Sequence, residues 1–141
     1  MGFATVHHPI WISKTITFTG AADLGAIGNV PLLNVTGEIE IDVIVGFCTT
    51  DLVGATATLS LGITNSTAFF IAATLATDLD ANDFWIDATP EANGVLLLVN
   101  VGSAITQNII GTVATAAITG GVLRIDIYWR PLSSDGNIVA V

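Results

Sequence analysis

The residues best suited to chemistry in this 141-residue chain are few and scattered. They are His7 and His8, Cys48, the paired carboxylates Glu38 and Glu40, the acidic run Asp78-Leu79-Asp80-Ala81-Asn82-Asp83, and three tryptophans, Trp11, Trp85 and Trp129. Adjacent histidines on an extended segment point to opposite sides, and with no cysteine or third histidine nearby they do not complete a transition-metal site. Asp78, Asp80 and Asp83 stand close to alternate positions, where carboxylate oxygens can surround a hard cation such as calcium. The run departs from the EF-hand pattern, because Asp83 occupies the position that needs glycine and Thr89 the position that needs a bidentate glutamate. Asp78, Asp80 and Asp83, with Asp87 beside them, are thus calcium candidates of another geometry, set against the plainer reading of a solvated acidic loop.

The other groups complete no catalytic set. Glu38 and Glu40 lie two residues apart on one strand face, about 7 Å between Cα atoms, a spacing of the order glycosidases use, yet no aromatic run beside them marks a sugar cleft. A Ser-His-Asp arrangement would have to recruit His7 or His8, and the chain contains no Gly-x-Ser-x-Gly and no phosphate-binding glycine loop. Cys48 has no cysteine to pair with and sits in the apolar run 43–48, the setting of a buried, inert thiol. Neither an enzyme nor a bound cofactor is expected.

Surface chemistry is more informative. The chain is 52% hydrophobic and 11% charged, and twelve acidic residues oppose only Lys14, Arg124 and Arg130, for a net charge of −9. That balance repels phosphate backbones and excludes a nucleic-acid partner. Residues 52–77 and 92–123 carry no charge at all, but Thr, Ser, Asn, Gln and Gly interrupt them and no Lys/Arg clusters flank them, so they read as strands and turns and not as membrane spans. The first fourteen residues lack the basic start and apolar stretch of a signal peptide. An uncharged, apolar-rich exterior on a soluble chain points to burial against copies of itself or a partner.

Those surfaces rest on strands. Period-2 alternation marks 13–19, 38–47, 55–63 and 122–130, with shorter strands over 31–35, 68–73, 95–101 and 105–113 and connections at 20–29 and 49–54. In 38–47, Ile39, Ile41, Val43, Val45 and Phe47 share one face and Glu38, Glu40 and Asp42 the other; in 122–130, Leu123, Ile125, Ile127 and Trp129 oppose Arg124, Asp126, Tyr128 and Arg130. The matching polar faces predict that these two strands have similar one-sided exposure and that Arg124 or Arg130 pairs with Glu38, Glu40 or Asp42 across strands. The expected fold is all-β: an antiparallel, jelly-roll-like β-sandwich over residues 13–141 as a single domain, with an extended N-terminal arm over 1–12. Trp129 belongs to the core. Phe3, Ile10 and Trp11, in the arm, are the expected partner anchors, since apolar arms dock on something. A ligand-binding sandwich is the rival, and it would expose Trp85 together with the 78–87 acidic stretch.

The blocks Thr15-Ile16-Thr17-Phe18-Thr19-Gly20-Ala21-Ala22-Asp23-Leu24-Gly25, Cys48-Thr49-Thr50-Asp51-Leu52-Val53-Gly54-Ala55-Thr56-Ala57 and Tyr128-Trp129-Arg130-Pro131-Leu132-Ser133 resemble small β-rich virion proteins of tailed phages and prophages. The resemblance implies a capsid decoration, or cement, protein on the virion surface, made in the host cytoplasm. It also implies a homo-oligomer, in this class commonly a trimer, bound to the major capsid protein. It carries over no functional residue.

Overall fold

The computed structural model describes residues 10–92 and 100–141. Among them are ten strands and one 3-10 turn: β1 (Ile10–Thr17), β2 (Gly28–Thr36), β3 (Ile39–Val53), β4 (Thr58–Ile63), β5 (Ser66–Leu75), the turn Ala76–Asp78, β6 (Phe84–Trp85), β7 (Asn100–Ile105), β8 (Ile109–Ala114), β9 (Gly120–Pro131) and β10 (Asn137–Ala140). Every pairing is antiparallel. The first sheet runs β1-β9-β3, with β7 and then β6 along the far side of β3; the second runs β10-β2-β8-β4-β5. Pairing β1 with β9 and β3 in one layer, and β2 with β8 and β4 in the other, gives the strand order of a jelly roll.

The longest pairing joins β3 to β9, from Ile39 opposite Pro131 to Val53 opposite Gly120. Its register shifts between Ile41 and Val43, and that bulge corrects the simple alternation read from 38–47. One inserted residue reverses which face each later side chain occupies. Ile39 and Ile41 face the interior, but beyond the bulge Ile44, Gly46 and Cys48 take over, paired with Ile127, Ile125 and Leu123. Val43, Val45 and Phe47 are thereby turned to the same outer face as Glu40. The strand also runs on through 49–53, where the sequence pattern predicts a connection, because Asp51 and Leu52 are tied to the following loop: Ala81 N–H donates to Asp51 Oδ1 at 2.7 Å and Leu52 N–H to the Leu79 carbonyl at 3.0 Å.

The interior between the layers is almost wholly aliphatic. From the first sheet come Ile16, Ile39, Ile41, Ile44, Leu123, Ile125 and Ile127; from the second, Val30, Leu33, Leu59, Leu61, Ile71, Ile109 and Val113. Trp129 is buried as expected. Trp85 is also buried, at 1% exposure, and its indole N–H donates to Thr74 Oγ1 at 2.9 Å. Opposite it only glycine fits, since a Cβ on Gly46 would lie 3.0 Å from the Trp85 ring and its own Cβ.

The boundary expected at residue 12 falls inside a strand. Ile10, Trp11 and Ile12 belong to β1, opposite Trp129, Tyr128 and Ile127, because the alternation of β1 continues in register to the end of β9. Residues 1–9, and with them Phe3, lie outside the described residues, as does most of the strand expected over 95–101. The tail supplies a short edge strand, β10, whose Ile138 enters the core.

The Trp85–Thr74 bond gives a direct test. Thr74→Val keeps the shape and removes the acceptor, leaving a buried N–H unpaired, which costs about 1–3 kcal/mol. Urea unfolding should show a lowered midpoint at unchanged slope; an unchanged midpoint would show that the bond contributes nothing.

Candidate interaction surface

Each cation of the chain is engaged within the fold. Arg130, at the end of β9, reaches Glu40 Oε2 at 3.1 Å through Nε and donates to Asp42 Oδ1 at 2.8 Å through Nη2. Glu40 and Asp42, two residues apart on β3, present their carboxylates on one face, as alternation requires. Asp42 and Glu40 both raise the Arg130 pKa, first through the Asp42 hydrogen bond. The cross-strand pairing expected for Arg130 is thus present. Arg124 behaves differently: its Nε donates to both carboxylate oxygens of Asp126 at 2.9 Å, two residues along its own strand, while its guanidinium lies 5.1 Å from the centre of the Phe47 ring. Ser13 Oγ donates to the same Asp126 at 2.9 Å. Lys14 sits in the core-facing row of β1, opposite Ile125, and its ammonium emerges at the rim to donate to the carbonyl of Val141. No Lys or Arg is left to grip an external polyanion.

The candidate anchors at the start of β1 are exposed: Ile10 by 45% and Trp11 by 50%. Trp11 stacks against Tyr128, itself half-exposed, with ring centroids 5.1 Å apart and the planes tilted by 59°. Sequence reasoning misses Tyr128 as Trp11's partner because the pattern assigns Trp11 to the arm and not to β1. Register could have found it, since extending the β1–β9 alternation two residues back sets the two rings side by side.

The acidic stretch is docked and not open. Asn82 N–H donates to the Cys48 carbonyl at 2.8 Å, and Cys48 N–H to the Asp83 carbonyl at 2.9 Å. The Asp83 side chain is buried, with Oδ2 accepting from the Asp80 amide at 3.1 Å, while Asp78 and Asp80 are exposed. Among the described residues no three His, Cys, Asp or Glu side chains converge to hold a metal ion, so Asp78, Asp80 and Asp83 do not form such a group. The rival ligand-binding arrangement needed Trp85 exposed beside this loop, and Trp85 is inside. The enclosed space between the sheets, among Ile16, Phe18, Leu59, Leu61, Trp85 and Leu123, is about 10 Å³, room for a single water and not for a substrate. Among the described residues no helix is long and apolar enough to cross a membrane.

Cys48 is fully buried, its thiol donating to the carbonyls of Thr50 at 3.1 Å and Leu79 at 3.4 Å. Burial, reinforced by the nearby charges of Asp51, Asp83 and Asp80, pushes the thiol up to about 11. It is protonated and unreactive at neutral pH.

A chain in the solved structure of the cyanophage Pam1 capsid asymmetric unit shares this fold, with a TM-score of 0.52 and 18% sequence identity over 92% of this chain and 90% of that one. No protein-family model and no curated protein matches the sequence. The likeness is therefore one of architecture, extending over nearly the whole of both chains.

The thiol sets an alkaline limit. Because the folded state raises its pKa from 9.0 to about 11, the unfolded chain releases the proton first, and the stability this supplies is complete below pH 9.0 and lost as pH rises toward 11. Thermal unfolding of wild type should weaken across that window more steeply than that of Cys48→Ala. Parallel curves would contradict a buried, protonated thiol.

Proposed function

We propose that this chain is a structural virion component, a capsid decoration protein that stabilises the head by bridging capsid subunits through apolar contacts. The observation that carries the proposal is the end-to-end likeness of its jelly roll to a chain of a phage capsid asymmetric unit. The chemistry of the surface agrees with it. The cations are engaged within the fold, and at the start of β1 the Trp11–Tyr128 pair and, next to it in sequence, Ile10 stand exposed.

The mechanism needs no reaction. A homo-oligomer, on this reading a trimer, is anchored by several identical arms, so that once one arm is seated the others bind at high local concentration. Phe3, Ile10 and Trp11 insert into the major capsid protein, and separating neighbouring subunits then re-exposes apolar surface at about 25 cal/mol per Å². Neither nucleic acid nor membrane takes part.

Heads of the encoding phage, stripped of the chain by mild heating, provide the test. Full-length protein should rebind them at saturation. A form comprising residues 10–141, which keeps β1 whole, should lose at least tenfold in affinity with an unchanged urea midpoint. Equal affinity would remove the arm from the mechanism, and failure of the full-length chain to bind heads would overturn the decoration role.

A further inference from the structure

None of the five strands of the second sheet, β10-β2-β8-β4-β5, contains a charged residue. The outer face of a solvated antiparallel sheet ordinarily alternates in Lys and Glu with its buried face, and a soluble surface carries about a quarter to a third charged residues. Here that face shows Asn29, Asn34 and Thr112, together with Leu75 and Val139, which are 45% and 53% exposed. Its polar groups are partly satisfied among themselves, as where Thr112 Oγ1 donates to Asn29 Oδ1 at 3.2 Å. Where β2 bulges between Pro31 and Leu33 the face dips into a groove of about 320 Å³, walled by Asn29, Asn34, Thr64 and Asn108 over Pro31 and Ile110.

The first sheet is its opposite. Lys14, Glu40, Asp42, Asp51, Arg124, Asp126 and Arg130 all lie in its strands. Its edge strand β1 carries an inward-pointing lysine, and at the edges of the second sheet β10 is four residues long and β5 is bulged twice against β4. Such devices discourage strand-to-strand addition. Association is left to faces.

We infer that copies of this chain meet through the uncharged outer face of the second sheet. This rests on the homo-oligomer reading above and names its surface. The choice of occupant follows from charge. A chain of net charge −9 meeting a different protein gains from complementary charges on the contact face. Meeting itself it has no free cation to offer, since Lys14, Arg124 and Arg130 are already engaged within the fold, so it gains by keeping carboxylates off the contact face. Three copies turning this face toward a shared axis bury Leu75, Val139 and the groove without opposing like charges. The aromatic end of the first sheet stays outside that contact, free for the capsid.

Sedimentation velocity on the purified full-length chain decides the matter, with two charge-matched variants. Asn29→Asp with Asn34→Asp adds two carboxylates to the face while preserving shape and the acceptor for Thr112. Thr15→Asp with Thr17→Asp adds two on exposed positions of β1. Wild type and the β1 variant should associate alike, and the β2 variant should associate at least tenfold more weakly, recovering in part at 1 M salt as the repulsion is screened. An oligomer that survives the β2 substitutions, or weakens equally with both pairs, overturns the assigned face and leaves the homo-oligomer reading standing. A wild-type monomer at all concentrations overturns both.

Discussion

The pairing of β3 with β9 is the constraint on which the rest of the molecule depends. It is the longest contact in the fold and carries the bulge at Asp42 that decides which side of β3 is core. Before the bulge the interior receives Ile39 and Ile41; after it, Ile44, Gly46 and Cys48. Without the inserted residue Val43, Val45 and Phe47 would be driven inward, and the Trp85 ring would lose the glycine it packs against. Glu40 and Asp42, two residues apart on the outer face, are spanned by the single guanidinium of Arg130. This ion pair is half-exposed, and pairs of that kind contribute little to stability alone. Its effect is on register: a slip of one residue would separate it and turn every side chain of the strand to the wrong layer.

From that register follows a division of the surface. The first sheet concentrates the cations and their carboxylate partners, so its charges are largely internal business. The second sheet has none. The surplus of negative charge is pushed toward one end, where Asp51 and the 78–91 stretch lie together, held by backbone bonds to Cys48 and Leu52. The charge of an otherwise apolar sequence is thereby gathered away from the second sheet. For a component whose proposed work is to cover seams between other subunits, such a distribution is more useful than a pocket.

Much of the fold was legible in the sequence because period 2 is a strong signal in strands that bury one face. The alternation of Leu123, Ile125, Ile127 and Trp129 against Arg124 and Arg130 foretold both the burial of β9 and its ion pair with β3. Strand count and spacing indicated a β-sandwich or barrel, and the antiparallel sandwich is what the chain forms. Bulges are invisible to such reasoning, as nothing in Ile41-Asp42-Val43 announces an inserted residue, and the inward row of β3 was accordingly misread beyond Ile41. The extent of β1 was underestimated because Pro9 and the adjacent histidines obscure the alternation that resumes at Ile10. Trp85 could not be placed from sequence, since its burial depends on Gly46 and Thr74, which reach it only in the folded chain. The candidate surface was half legible: Ile10 and Trp11 drew attention by their apolar character, whereas Tyr128 and the charge-free second sheet are products of topology.

The proposed decoration role is decided by whether this chain is found on the outside of a head, and where. A cryo-EM reconstruction of intact virions, carried to a resolution that traces strands, measures it directly. The account predicts a jelly roll on the outer surface of the head, its charge-free sheet turned toward neighbouring copies and Ile10, Trp11 and the preceding residues lying on the major capsid protein. Head density with no such domain, in virions whose protein content includes the chain, would contradict it.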